Sequence, residues 1–146
     1  MYKKILIATD GSALSDKAVK AGIELAKALG SKVFVFTAVS QYSIPYHEGD
    51  VVINAEQIKS IRSRVKHDAQ TMLNRVQEAC DQERVQVTTI LGKDPIGAGI
   101  IKAAEKHDCG LIVMASHGRK GLSRMLLGSE SMDVLTHSEI PVLVIR

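Results

Sequence analysis

Hydrophobic residues occur along the chain in five short runs, and the stretches between these runs have a helical periodicity. The second run, residues 33–39, is continuous instead of alternating, which is typical of a strand that is covered on both faces. Alternation of such strands with helices predicts an α/β fold with a doubly wound parallel sheet and helices on both faces. The predicted strands are residues 4–9, 33–39, 85–91, Leu111–Ala115 and Val142–Ile145.

Four amphipathic segments between the strands are predicted to be helices. Gly30 supplies a stop for the first, and Asp94 and Pro95 suit the N-cap and the first position of the third. Residues 40–54 have neither periodicity, which predicts a long loop of the functional or mobile kind. The predicted helices span residues 14–29, 58–83, 96–104 and 130–135.

The composition fits a single domain over residues 1–146, with 45% hydrophobic and 24% charged residues. The chain has no Trp, two Phe and three Tyr, a net charge of only +3 and no basic run, which argues against nucleic acid as a partner. No apolar stretch is long enough to span a bilayer, and no signal-peptide pattern precedes the first strand. A cytoplasmic location without a membrane partner is therefore expected, with Cys80 and Cys109 reduced and packed.

A candidate phosphate-binding motif follows the fourth predicted strand. The run Ala115-Ser116-His117-Gly118 is separated by nine residues from Gly128-Ser129, which precede the last helix. A strand, a glycine-bearing loop and a helix start bind phosphate well, because backbone N–H groups and the helix dipole point at the anion. Glycines let the backbone approach the ligand without an intervening side chain. In the alternative interpretation, Gly118 only ends a strand and Ser129 only caps a helix.

The motif resembles the ATP-binding loop of the universal stress protein family, whose pattern is Gly, two residues, Gly, nine residues, Gly and then Ser or Thr. Gly118, Gly128 and Ser129 match this pattern, whereas Ala115 stands where the first glycine belongs. The resemblance implies the strand order 3-2-1-4-5, ATP with Mg²⁺ as the ligand, and a homodimer. It covers nearly the whole chain and includes residues 4–12, 94–95 and 140–145.

In that strand order the first and fourth strands meet at a switch point, where ligands bind outside the carboxyl ends of the strands. The resemblance implies that Asp10 contacts the nucleotide or its metal ion and that adenine lies beside Ala38 and Val39. Asp10 also suits capping of the following helix together with Ser12, and both roles can coexist. The residues implied to contact the nucleotide are Ala8, Thr9, Asp10, Ala38, Val39, Met114, Ala115, His117, Gly118, Arg119, Gly128, Ser129, Glu130 and Ser131, with Asp10 as the metal ligand.

Two residues complicate this site. The Ala115 methyl stands where the family has glycine, and it is expected to crowd the ribose or the phosphate. Glu130 suits the first turn of the last helix, yet its carboxylate competes with phosphate for the same positive helix end. Arg119, with Lys120 and Arg124, offers positive charge to a triphosphate, although a solvated loop explains these cations equally well.

The sequence contains no recognisable arrangement for rapid catalysis. The Walker pattern and the Gly-x-Ser-x-Gly elbow are absent, His117 beside Ser116 has no third orienting group, and the other histidines lack metal-ligand spacing. The favoured function is a nucleotide-responsive regulator of stress survival that holds ATP. Two alternatives stay open: a nucleotide-free family member that acts through contacts with an unidentified protein partner, and a slow ATPase.

The last predicted strand, Val142–Ile145, lies at the sheet edge in the implied strand order. Its Val-Leu-Val-Ile run is strongly β-forming and carries no internal charge, and an unprotected edge of this kind invites pairing with another chain. Antiparallel pairing with the same strand of a second molecule would satisfy the edge with one self-complementary patch. The predicted homodimer forms through this strand.

Overall fold

The computed structural model describes residues 1–39, 54–93, 95–118 and 127–146. Strands and helices alternate along these residues, as the hydrophobic pattern predicts. In chain order they are β1 (Lys4–Ala8), α1 (Ala13–Leu29), β2 (Lys32–Val39), α2 (Ala55–Gln82), β3 (Val87–Lys93), α3 (Ile96–Lys106), β4 (Leu111–Ala115), α4 (Ser129–His137) and β5 (Val142–Ile145).

The five strands form one sheet in the order β3-β2-β1-β4-β5, and every neighbouring pair is parallel. The predicted fold class and strand order are therefore confirmed. From β1 the chain adds β2 and β3 on one side of the sheet and then β4 and β5 on the other side. The strand order therefore reverses between β1 and β4, which pair with each other. The carboxyl ends of these two strands lie side by side, which is where parallel sheets of this kind bind ligands.

Two aliphatic layers cover the sheet, one on each face. Along β1, the buried side chains of Ile5 and Ile7 pack with those of α1 and α2, whereas Leu6 and Ala8 pack with those of α3 and α4. The strands are apolar at successive positions because both faces are covered. Both cysteines are buried and unpaired, as expected, with Cys80 in the first layer and Cys109 in the second.

The ends of α1 follow the predicted signals. Ser12 is the N-cap, and its Oγ accepts a hydrogen bond from the Ser15 backbone N–H at 3.2 Å. Gly30 ends the helix in the left-handed conformation at φ +64°, which glycine adopts without the penalty of a Cβ atom. Both ends of α1 are therefore fixed by local contacts, at Ser12 after β1 and at Gly30 before β2.

Several element boundaries differ from the prediction by one to three residues. β3 begins at Val87 instead of residue 85, because the Val85 N–H donates to the Cys80 carbonyl at 2.9 Å and so belongs to the end of α2. Pro95 is the N-cap of α3 and not its first helical residue, and Asp94 lies outside the described residues. Most of the predicted loop at residues 40–54 also lies outside them, but Asn54 is the N-cap of α2.

The long helix α2 buries its apolar stripe only near its carboxyl end. Leu73, Val76 and Cys80 are its buried residues, whereas Ile58 and Ile61 are partly exposed. The predicted stripe is present along the helix, but only its carboxyl-terminal part belongs to the core. The structure thus places the most densely packed part of the molecule around β1, β2 and β4.

Candidate functional site

The loop after β1 is held tightly by its own side chains. The Thr9 N–H donates to the Phe36 carbonyl at 2.9 Å, and the Thr9 and Ser15 hydroxyls lie 3.0 Å apart. One carboxylate oxygen of Asp10 accepts a hydrogen bond from the Ser12 N–H at 2.9 Å. Gly11 turns the chain at φ +74°, a conformation that suits glycine. Asp10 therefore stands at the carboxyl edge of the sheet in a fixed position.

The loop after β4 meets the loop after β1 at this edge. Ser116 extends the sheet pairing, because its N–H donates to the Ile145 carbonyl at 2.8 Å. A Cβ atom built on Gly118 would lie 2.5 Å from Asp10 Oδ2, closer than real contacts allow. The absence of a side chain at Gly118 is thus what lets its backbone lie against the Asp10 carboxylate.

The amino end of α4 is anchored to the same place. The N–H of the N-cap residue Gly128 donates to the Ser116 carbonyl at 2.7 Å, and the Ser131 hydroxyl donates to the Ala115 carbonyl at 2.9 Å. A Cβ atom built on Gly128 would lie 3.1 Å from His117 Cα. The two glycines of the motif therefore mark the two positions where the backbone packs most tightly around the site.

This arrangement presents the positive end of a helix without a side-chain cap. Gly128 has no side chain to accept a hydrogen bond from the first turn, so the N-cap leaves donors of that turn available to a ligand. The Ser129 hydroxyl donates to Glu130 Oε2 at 2.8 Å. The site can accordingly receive an anion at the α4 backbone, with a carboxylate already beside it.

Three of the predicted site residues have buried side chains that belong to the core. Ala8 and Met114 pack on the α3 and α4 face, and Ala115 packs on the α1 and α2 face. Ala115 is only 7% exposed. Its methyl group belongs to the packed layer that also contains Ile145, and the expectation that it crowds the ribose or phosphate stays a prediction.

The remaining predicted residues divide into two groups. Ala38 and Val39 end β2, are partly buried, and pair with Gly92 and Lys93 of β3, beyond the point where β1 stops. They therefore lie at the carboxyl edge of the sheet, on the β2 side of β1. Arg119, together with Lys120 and Arg124, lies outside the described residues.

Sequence reasoning missed the structural importance of two serines. The Ser15 hydroxyl connects α1 to Thr9. Ser116 donates its N–H to β5 and accepts the Gly128 N–H at its carbonyl, and its hydroxyl lies beside His117. The Ser116 side chain lies 3.1 Å from His117 Nδ1, but Ser116 is only 6% exposed. A buried hydroxyl of this kind positions neighbouring residues and is poorly placed for attack on a substrate. Only its place directly after a buried strand signals this role in the sequence.

The described residues supply few groups for metal or thiol chemistry. They contain no cluster of three or more His, Cys, Asp or Glu side chains arranged to hold a metal ion. Burial raises the pKa of Cys80 to about 11 and that of Cys109 to about 11, so both thiols stay protonated near neutral pH. Within the part of the chain that the structure describes, no helix combines the length and apolar character needed to cross a bilayer.

A cleft of about 860 Å³ lies between α1 and α2, away from the motif glycines. Apolar residues such as Val19 and Met72 form part of its lining, together with Lys27 and Glu83, whose side chains are 2.6 Å apart. The hydrogen bond from Lys27 lowers the pKa of the Glu83 carboxyl from its usual value. None of the predicted site residues lines this cleft. It is a groove between two amphipathic helices.

Known proteins resemble the chain over its whole length. A family model described as "Universal stress protein family" matches residues 1–146. Universal stress protein YxiE of Bacillus subtilis is 32% identical over 148 residues, which cover 100% of both chains. The solved structure of UspA from Lactobacillus plantarum has a TM-score of 0.84 at 20% identity and covers 99% of this chain and 98% of that chain.

Two structures with the same fold were solved with an adenine nucleotide. A universal stress protein in complex with cAMP has a TM-score of 0.70 at 18% identity, covering 99% of this chain and 97% of that chain. The universal stress protein from Archaeoglobus fulgidus in complex with dAMP has a TM-score of 0.65 at 20% identity, covering 99% and 98%. At these identities the structural similarity shows only that this chain shares their fold.

Proposed function

Because the chain belongs to the universal stress protein family, we propose that it is a regulatory protein that binds ATP with Mg²⁺ at the carboxyl edge of β1 and β4. In this proposal the protein binds the nucleotide without consuming it. A partner protein in stress survival responds to whether the nucleotide is bound. The cytoplasmic location expected from the sequence is part of the same proposal.

One observation carries the proposal: the open amino end of α4 stands directly over the end of β4. The Gly128 N–H is held by the Ser116 carbonyl at 2.7 Å, and Gly128 offers no side-chain cap. Gly118 brings the neighbouring loop against Asp10. A phosphate group fits such a position because helix-end donors and close backbone approach both favour an anion.

The described residues fit the parts of such a ligand. Backbone N–H groups of Ser129 and Glu130 would face the phosphates, and the Asp10 carboxylate supplies the oxygen ligand that Mg²⁺ prefers. Ala38 and Val39 end β2 beside this edge and offer an apolar floor for adenine. The relatives solved with cAMP and dAMP support adenine nucleotides as the ligand class.

The proposal is tested by identifying what the protein carries from cells. Purified protein is denatured, and the released small molecules are identified by mass spectrometry and quantified against protein. We expect adenine nucleotide in near-stoichiometric amount, or micromolar ATP binding by calorimetry if purification removes it. Protein that arrives empty and binds no adenine nucleotide would support the alternative of a nucleotide-free member, which the Ser129–Glu130 contact favours because it occupies the motif hydroxyl.

Hydrolysis separates a regulator from an enzyme. ATP hydrolysis needs an oriented water, and the sequence has no Walker lysine, no arranged nucleophile–base pair and no obvious residue to orient water, so turnover should be far below the median enzyme rate of about 10 per second. Steady-state phosphate release near that rate, lost in Asp10→Ala, would instead establish an ATPase.

We also propose a homodimer through β5. The carbonyls of Pro141 and Ile145 accept hydrogen bonds from Ile112 and Ser116, so alternate residues of the strand face β4. The backbone groups of Val142 and Val144 consequently point to the edge of the sheet, away from β4. Large apolar side chains on and beside this edge are exposed: Met132 at 50%, Leu135 at 38% and Leu143 at 38%. Pairing with a second copy would cover both features.

Val144→Pro tests the dimer with little effect on the sheet. Proline removes the N–H that points outwards, whereas Val144→Ala keeps it and serves as the matched control. By light scattering at micromolar concentration we expect a dimeric wild type, a dimeric Val144→Ala and a monomeric Val144→Pro. A folded Val144→Pro variant that stays dimeric would place the interface elsewhere.

A further inference from the structure

The first turn of α4 contains a negative charge that the proposed function does not use. Glu130 Oε2 accepts a hydrogen bond from the Ser129 hydroxyl at 2.8 Å, and the side chain is partly buried. Ser129 is the serine of the phosphate-loop motif, so the carboxylate lies where the motif would bring its hydroxyl to a phosphate. A negative charge here is favoured by the helix dipole and competes with any other anion at that end.

A second carboxylate approaches the same edge from the other loop. The Asp10 side chain lies against Gly118, where a Cβ atom would come within 2.5 Å of Oδ2. Its other oxygen is held by the Ser12 N–H at 2.9 Å, so the side chain is fixed in position. A phosphate chain that extends between Gly118 and the amino end of α4 therefore passes two carboxylates.

We propose that Glu130 is a specificity-determining residue that selects ligands by their phosphate charge. This inference rests on the proposed nucleotide site. The Glu130 carboxylate repels metal-free ATP more than it repels AMP, because ATP places more negative charge near the first turn of α4. Coordination of Mg²⁺ to the phosphates removes two negative charges and supplies an ion with a preference for carboxylate oxygen. Glu130 thus lowers the affinity for the free triphosphate relative to that for the Mg²⁺ complex of ATP.

The test compares two variants that each lose one negative charge. Glu130→Gln keeps the shape of the side chain and an oxygen that accepts from Ser129. Glu139→Gln makes the same change on an exposed residue just beyond the carboxyl end of α4. The helix from Glu130 to its last residue, His137, is about 10 Å long, which already exceeds the Debye length of about 8 Å at physiological ionic strength.

Calorimetry measures the affinity of wild type and both variants for ATP and AMP in EDTA and for ATP in excess Mg²⁺. In EDTA we expect Glu130→Gln to bind ATP about fivefold more tightly than wild type, with a much smaller change for AMP. With Mg²⁺ the difference between wild type and Glu130→Gln should shrink. Glu139→Gln should match wild type throughout.

The possible outcomes separate this inference from the function on which it rests. If wild type binds neither nucleotide under any condition, the proposed function fails and the inference fails with it. If wild type binds nucleotide but Glu130→Gln has the same ATP-to-AMP affinity ratio in EDTA, only the charge selection is wrong. An equal gain in both charge variants would likewise overturn it, because the effect would then come from net charge.

Discussion

The helices that follow β1 and β4, which are α1 and α4, have amino ends that are built in opposite ways. α1 follows β1, and its first turn is closed by side chains of its own loop: Ser12 Oγ accepts from Ser15, and Asp10 accepts from Ser12. α4 follows β4 and is capped by Gly128, which has no side chain. The neighbouring strands thus lead to one closed helix end and one open helix end.

The difference shows where a ligand can gain binding energy from the backbone. A donor that already has an internal partner must lose that partner before it can bind an anion, so the first turn of α1 offers little. At α4 the Gly128 N–H donates to the Ser116 carbonyl, which fixes the helix, and Gly128 has no side chain to cap the donors of the first turn. The serine and aspartate of the first loop close the end of α1, and in the proposed function the second loop leaves the end of α4 open for a ligand.

The largest effect is expected from filling the open end. Gly128→Val and Gly118→Val would each lower ATP affinity at least tenfold, or roughly 1.4 kcal/mol, measured by calorimetry. The reason is space: the added side chains would meet His117 Cα and the Asp10 carboxylate. A positive φ is not involved, since only Gly11 and Gly30 among the described glycines have one.

Gly110→Val is the matched control for these two variants. Gly110 precedes β4 at the amino end of the sheet, and a Cβ atom there would meet its nearest neighbour, Tyr2, at an ordinary 3.5 Å. Its affinity for ATP should equal that of wild type, with a native far-UV spectrum in all variants. Unchanged ATP binding in Gly118→Val and Gly128→Val would show that the nucleotide site does not lie at this edge.

Local signals in the sequence were sufficient for most of the helices and strands, whereas the strand order followed from the family resemblance. Continuous apolar runs mark strands covered on both faces, and Ser12 and Gly30 mark the ends of α1. The β3 boundary failed because Val85 is apolar and β-branched, yet a hydrogen bond to Cys80 keeps it at the end of α2. Strand propensity and hydropathy do not predict that hydrogen bond.

The site could be predicted only in part, because the facing of side chains depends on tertiary packing. The motif located Gly118, Gly128 and Ser129, and the structure brings their loops together. The pattern could not show that the Ala115 methyl lies in the α1 face of the core, nor that Glu130 bonds Ser129. Both facts depend on how β4 and α4 sit on the sheet.

Ala115→Gly tests whether the departure from the family motif affects the ligand or only the core. The methyl group is buried with α1 and Ile145, so its loss should lower the free energy of unfolding. We expect about 1.3 kcal/mol in urea denaturation, from lost apolar burial and the greater flexibility of glycine. ATP affinity should stay within about twofold of wild type. A tenfold gain in affinity would show that the methyl does crowd the nucleotide.

The smallest effect is expected from opening the closed helix end. Ser12→Ala removes the cap of α1, leaves the Ser15 N–H without its side-chain acceptor, and should cost about 1 kcal/mol in the free energy of unfolding. Ser12→Gly gives α1 the same cap residue as α4. It should lower the free energy of unfolding by only about a few tenths of a kcal/mol, because water reaches the donors. Both variants should bind ATP like wild type in calorimetry, since the ligand is expected at α4. If either one weakened ATP binding as strongly as Gly128→Val, the phosphates would contact the first turn of α1, and the contrast between the two helix ends would be wrong.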